Sequence, residues 1–313
     1  MNKAMRLNAF AMNCVGHQAP GLWAHPRDAS WRYKDADNWV ELARLLERGK
    51  FDGLFLADVL GVYDVYQGSH DAALRQAAQV PVNDPLLLVP LLAQATEHLG
   101  FGVTCALTYE HPYPFARRMS TLDHLSQGRI GWNIVTSYLD STARNMGLAQ
   151  QIGHDDRYEM AEEYLQVCYK LWEGSWEDDA VVRDKQRRIF TDPTKIHGIA
   201  HAGEFYTVPG IHSPSERHTI HTIHAHHRQL LEARLIGGSD RFDVGIFGDG
   251  GRIPDQQHAR RLMTDDTVRS SPLATAREFG QALGETRRDL FVDELLPVLV
   301  SEQLTFGQRR AEQ

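Results

Sequence analysis

Along the first 175 or so residues, four short apolar runs recur, at 5–11, 53–57, 100–107 and 129–136. Each is followed by a longer segment with helical spacing, at 36–48, 85–98, 114–126 and 155–173. Short runs have the length of strands and the longer segments that of helices, so the alternation predicts a parallel sheet with crossover helices. The last helix is the clearest. Tyr158, Ala161, Leu165, Cys168 and Trp172 form an i, i+3, i+4 stripe that buries one face, and His154-Asp155-Asp156 gives it an acidic first turn that suits the helix dipole.

Four units at this pitch fit the front half of a (β/α)8 TIM barrel better than a Rossmann sheet, whose first turn needs a glycine fingerprint. No GxGxxG follows any of the runs, and GDGG at 248–251 is isolated. Barrel chemistry sits on the loops after the strands. Here those loops are long and polar, and they bring His17, Trp23, His25, Asp58, Thr104, His111, Asn133, Ser137, His154 and Tyr158 at or near one rim.

His154 and Tyr158, four apart, share the face of a helix's first turn, where side chains and free backbone N–H groups together can grip a phosphate. Equally, Tyr158 can be the first core residue of the stripe and His154 a cap. Asp58 ends a strand, where a carboxylate serves a ligand or caps a turn. Thr104 and Ser137 are open in the same way, because hydroxyls at strand ends also satisfy local backbone. Asn133 lies in a strand that otherwise reads as buried, so a ligand or an internal network must satisfy its amide.

Composition changes the picture most near residue 212. Residues 212–313 contain no Lys, Trp, Tyr, Asn or Cys, whereas residues 1–211 hold all six Trp and all ten Tyr. At the break stand His212, His218, His221, His224, His226 and His227. Such a tract can bind metal, but it lacks Cys or carboxylates at a ligand spacing. It reads instead as a mobile surface segment or as a stretch translated from a shifted or rearranged reading frame, and no metal is assigned. Further on, 275–304 returns to helical spacing through Phe279, Leu283, Leu290, Phe291 and Leu295.

A hydrophobic content of 42% supplies material for a buried core. Cys14, Cys105 and Cys168 are too few and scattered for a disulfide framework and read as reduced thiols. A net charge of −8 disfavours nucleic acid and anionic membranes as partners. The most apolar stretch, 85–93, is too short to span a bilayer, and no apolar core of signal-peptide length opens the sequence, so a cytoplasmic protein is expected.

The strings EHPYPFARRMSTLDHLSQGRIGWNIVTSY (110–138), HDDRYEMAEEYLQVCYKLWEGSWEDDA (154–180) and GEFYTVPG (203–210) resemble the nitrilotriacetate and dibenzothiophene-sulfone monooxygenase family, a branch of the bacterial-luciferase-like flavin enzymes. The resemblance covers about residues 4–211. It implies a luciferase-like (β/α)8 barrel and FMN, supplied reduced by a separate NAD(P)H-dependent flavin reductase, with O2 and a small organic compound as substrates and a homo-oligomeric assembly. It places FMN contacts on Asp58, Thr104, His154 and Tyr158, with Asn133 and Ser137 beside them, and puts His17 near the reacting flavin as a catalytic candidate. Deazaflavin in place of FMN is disfavoured by the HDDRY match.

Beyond residue 211 the family pattern breaks: a Gln-Ala-Gly-Ser-type turn expected to supply a further hydroxyl to the phosphate is replaced by the His tract. Family members are longer, and 174–211 resembles an inserted excursion rather than barrel wall, so the barrel is expected to be incomplete or altered in its C-terminal half, with RDLFVDELLPVL (288–299) echoing the closing helix. Two other readings stand beside the monooxygenase: an impaired remnant or non-catalytic subunit of the same family, and a metal-binding protein that uses the His tract.

Overall fold

The computed structural model describes residues 6–215 and the backbone of 221–224. One compact unit, within Leu7–Glu47 and Phe51–Asp243, carries the sheet and the cavity described below. The GDGG string, the helical spacing at 275–304 and the string at 288–299 lie outside the described residues.

Strands β1 (Asn8–Met12), β2 (Gly53–Ala57), β3 (Gly100–Ala106) and β4 (Ile130–Val135) pair side by side and parallel. Parallel neighbours need crossovers, and α1 (Ala36–Arg48), the short α2 (Asp71–Gln76) with α3 (Val89–Ala95), and α4 (Pro112–Ser126) supply them. After β4 come α5 (Asp140–Asn145) and α6 (His154–Gly174). The order β1-β2-β3-β4 never reverses, and a reversal is what defines a doubly wound sheet. The strands therefore wind as in the front of a barrel.

Alternation assigns the two faces. Leu54, Leu56, Phe101, Val103, Ile130 and Trp132 are at most 2% exposed and pack under the helices. Trp132 is the centre of that layer, 4.4 Å from the Phe115 ring and 6.0 Å from Tyr164. Its indole N–H donates to the Cys105 carbonyl at 2.9 Å, so the buried ring leaves no polar group unmet. The opposite face carries Phe10, Phe55, Gly102 and Gly131 in one register row. Two residues further along come Met12, Ala57, Thr104 and Asn133, and this second row leads to the loops.

At the N-terminal ends of the strands, Arg129 spends all five of its N–H groups. It donates to the Ser126 carbonyl (2.9 Å), to Thr96 Oγ1 (3.0 Å), and to the carbonyls of Leu99 (2.9 Å), Ala93 (2.8 Å) and Thr96 (3.1 Å). One side chain thus ties the ends of α3 and α4 to the start of β3. Glu47 acts nearby, accepting from the backbone N–H groups of Glu97, His98 and Leu99, which hold its carboxyl below the usual range.

Residues 175–212 leave the sheet and form two antiparallel hairpins, β5 (Val181–Asp184) with β6 (Ile189–Thr191), and β7 (His201–Ala202) with β8 (Thr207–Val208). Glu163 of α6 clasps the second hairpin, accepting from His201 Nε2 at 2.9 Å and from the N–H groups of Phe205 and Tyr206.

The His tract is corrected in two places. His212 is a core residue rather than part of a mobile surface: it is fully buried, with Nε2 2.9 Å from Ser120 Oγ and its N–H donating to Ser175 Oγ at 2.7 Å. Next, β9 (His221–His224) pairs parallel with β4 and extends the sheet to five strands. The open edge of β4 offers a ladder of backbone groups, and His-Thr-Ile-His, with two β-branched residues, suits that ladder. The side chains of the tract beyond residue 215, and with them its metal-binding reading, lie outside the described residues.

Candidate active site

The C-terminal ends of the strands open onto a cavity of about 460 Å³. Its floor is Met12, Ala57, Thr104 and Ala106 from the sheet, and α6 forms one wall through His154, Arg157, Tyr158 and Ala161. His17, Asp58, Ser137 and Gln79 come from the loops. Six of the ten residues that the sequence brings to one rim, His17, Asp58, Thr104, Ser137, His154 and Tyr158, therefore meet in one place. Asn133 stands one step back: it is 6% exposed and its amide donates to Thr104 Oγ1 at 2.9 Å, so an internal network satisfies it. Trp23, His25 and His111 do not line the cavity; His111 caps α4, its ring accepting from the Tyr113 N–H at 3.3 Å.

The loop that carries His17 is held by its neighbour. Bridges pair Cys14 with Val82 and Gly16 with Ala78, and Gln79 donates twice, from its N–H to the Gly16 carbonyl (2.7 Å) and from Nε2 to the His17 carbonyl (3.3 Å). The approach is close enough to require glycine, since a Cβ at Gly16 would sit 2.5 Å from the Ala77 carbonyl oxygen. The His17 ring packs 4.7 Å from Phe10. Burial lowers its pKa, which keeps the imidazole neutral near pH 7, able to donate from one nitrogen and accept at the other.

Asp58 directly follows β2. Burial, then the charge of Asp84, push its pKa up to about 6, against a smaller opposing effect of the Val59 N–H. A carboxyl with that value changes protonation within the range where enzymes work. Cys14 is raised to about 12 by burial first and Asp58 second, and buried thiols of this kind are unreactive.

Ser137 adopts a left-handed backbone (φ 57°) just after β4, a conformation that costs a residue with a Cβ about 1–2 kcal/mol. Strain of this kind concentrates at functional sites. The next residue, Tyr138, meets Tyr63 hydroxyl to hydroxyl across the rim, and the segment after β2 is further joined to α5 by the Asp64–Arg144 ion pair and by Ser141 Oγ donating to the Val62 carbonyl at 2.8 Å. Burial and this pairing raise the Tyr138 pKa above the ordinary phenol value. On α6, the His154 and Tyr158 rings lie 4.8 Å apart, and Gly153 at the N-cap brings no side chain to the first-turn N–H groups.

Four cavity residues carry weaker sequence signals. Arg157 lies three after His154 on the same helix face, but within an acidic string it reads as a surface charge. Gln79, Tyr63 and Tyr138 sit in irregular loops, where no periodicity points inward.

The family model for luciferase-like monooxygenases matches residues 5–225. The chain belongs to this family. Among its luciferase-like relatives, the long-chain alkane monooxygenase of Geobacillus thermodenitrificans is 59% identical over 270 residues, covering 83% of this chain and 61% of that protein. A solved long-chain alkane monooxygenase superposes with a TM-score of 0.68 at 58% identity, over 69% of this chain and 50% of that one. The dimethyl-sulfide monooxygenase of Hyphomicrobium sulfonivorans is 58% identical over 306 residues, covering 96% of this chain and 60% of that protein. Riboflavin lyase, solved with a modified FMN and riboflavin, is 36% identical with a TM-score of 0.63, over 70% of this chain and 48% of that one. The chain spans about 60% of the length of these curated relatives. The sheet described above is the front of a luciferase-like (β/α)8 barrel.

Proposed function

We propose that the cavity binds reduced FMN and that the protein is a two-component flavin-dependent monooxygenase, acting with O2 on a small organic compound. The reduced flavin comes from a separate NAD(P)H-dependent reductase. The observation that carries this reading is the convergence of His17, Asp58, Thr104, Ser137, His154 and Tyr158 on one cavity at the catalytic end of the strands. Its volume of about 460 Å³ lies in the range of small-molecule and cofactor pockets, about 300–1,000 Å³.

The donor set suits FMN. At the α6 end, free first-turn N–H groups, His154, Tyr158 and the Ser137 hydroxyl offer partners for a phosphate. At the strand ends, Thr104, oriented by Asn133, and Asp58, its pKa raised by burial, offer partners for polar ring and ribityl atoms. FMN, when bound, supplies the redox chemistry with oxygen. The protein's share is to hold the cofactor, keep a neutral His17 beside the reacting groups, and exclude water behind the rim of Tyr63 and Tyr138. The remaining lining, with Met12, Ala106, Ile134, Val135 and Leu139, suits a weakly polar substrate. That character agrees with the alkane and the dimethyl sulfide named for the two curated relatives.

An anaerobic titration with reduced FMN tests the reading. Saturable binding to the full chain is expected, weakened at least tenfold by His154→Ala with Tyr158→Phe; a linear, non-saturating response sinks it. Ser137→Gly separates strain from contact. With glycine the left-handed backbone is relaxed, so stability should rise by about 0.5–1 kcal/mol while flavin affinity falls with the lost hydroxyl. Denaturant midpoints and the same titration read the two effects, and a fall in both would show that the backbone at 137 is not strained.

A further inference from the structure

Arg157 is a buried cation that pairs with no anion among the described residues. The residue is 8% exposed, one terminal nitrogen donates to the Ile152 carbonyl, and Nε has no hydrogen-bond partner among the described residues. No carboxylate among the described residues pairs with it. Asp155 in the same turn is 97% exposed and pairs with His154 Nδ1 instead. A guanidinium taken out of water in this way is unfavourable unless a countercharge arrives.

Position says where that countercharge belongs. His154, Arg157, Tyr158 and Ala161, at i, i+3, i+4 and i+7 of α6, all line the cavity, so Arg157 lies on the face that looks into it. It is in the first turn, where the helix leaves its N–H groups without a side-chain cap. A planar guanidinium donates in parallel to two oxygens of one tetrahedral anion, which an imidazole or a phenol cannot do.

We propose that Arg157 is the charge that anchors a phosphate monoester at the α6 end of the cavity, and so the residue that makes this site prefer FMN to riboflavin. The proposal rests on the flavin reading above. It gives His154 and Tyr158 the task of shaping the subsite, and Arg157 that of neutralising the dianion.

The test measures binding of FMN and of riboflavin to the full chain, wild type and Arg157→Met, by flavin fluorescence. The wild type should bind FMN at least tenfold more tightly than riboflavin. Arg157→Met should abolish that preference through FMN alone, leaving riboflavin affinity within twofold. A preference that survives the substitution, or equal loss of both flavins in a variant with the wild-type circular dichroism spectrum, overturns the proposal. If Arg157→Met does not fold, Arg157→Lys carries the test: a point charge should keep part of the preference, and an unchanged preference overturns the assignment. Inorganic phosphate separates the two readings. It should raise the thermal midpoint of the wild type, but not of either folded variant to the same extent, above chloride at matched ionic strength. Phosphate protection with no binding of either flavin removes the flavin reading and keeps the anion site. Absence of both phosphate protection and FMN preference in the wild type removes the anion site.

Discussion

Arg129→Met is expected to destabilise the protein by about 1.5–3 kcal/mol, the range for hydrogen bonds to a charged group, because this half-buried guanidinium is the hub of several. The guanidinium makes five hydrogen bonds at 2.8–3.1 Å, four to backbone carbonyls and one to the Thr96 hydroxyl. Methionine fills much of the same volume but donates nothing, so the acceptors at the ends of α3 and α4 lose these bonds together. Each unsatisfied buried group costs about 1–3 kcal/mol, less where water can enter. Arg129→Lys should recover only part, because an ammonium has three donors and no planar fork. Chemical denaturation of the three proteins checks the order, and a methionine variant within about 0.5 kcal/mol of wild type, the ordinary range for a surface position, would show the brace to be idle. Flavin affinity should not change, since Arg129 stands at the opposite end of the strands from the cavity.

Asp58→Asn should act in the other direction, and only above a certain pH. The folded-state pKa of Asp58 is pushed up to about 6 from 3.8, chiefly by burial. With the folded value raised, the native state prefers the protonated carboxyl. Below about pH 4 both states are protonated and there is no penalty; between about pH 4 and 6 the penalty grows, and above pH 6 it is complete. At about 1.4 kcal/mol for each unit, the full penalty is about 2–3 kcal/mol. Asparagine cannot ionise, so the variant should be more stable than wild type by about that amount at pH 8 and equal to it at pH 4. Reduced FMN should bind less tightly to the variant, in keeping with the trade between stability and function at polar sites. Thermal melts at the two pH values read the stability arm. An equal difference at both would show that the carboxyl is not the buried charge.

The strands and helices of the front barrel were legible because each apolar run is bounded by loops rich in Gly, Pro and polar residues, and because α6 carries an unbroken stripe from Tyr158 to Trp172. Boundaries moved by one to three residues. The helical spacing at 85–98 covers a 3-10 turn at Pro85–Leu88 before α3 begins, since Pro90 suits only the first turn of a helix. Six of the seven candidate residues were legible as loop or strand-end polar groups in a barrel, where topology itself delivers them to the cavity. Asn133 was placed correctly in its strand, while its partner, Thr104, followed only from register.

What was not legible depends on long-range pairing. The imidazole chemistry of a His-rich segment distracts from the β-branched Thr222 and Ile223, which suit residues 221–224 to the edge of β4. His212 is buried by contacts with Ser120 and Ser175, 92 and 37 residues away. Arg157 likewise acquires its meaning only when α6 is laid against the strand ends, because nothing in an Asp-Asp-Arg-Tyr string says which side chain turns inward.

The rim contacts bear on how such enzymes can be recombined. Tyr63 and Asp64 after β2 are matched to Tyr138 and, on α5, Arg144, and Gly61 lies so close to Thr142 that a Cβ would come within 2.2 Å of its hydroxyl oxygen. The segment after β2 and the segment after β4 are thus a single heritable cassette written in two places. A graft that exchanges one of them brings a mismatched surface to the entrance, and a chimera that keeps an intact doorway must carry both.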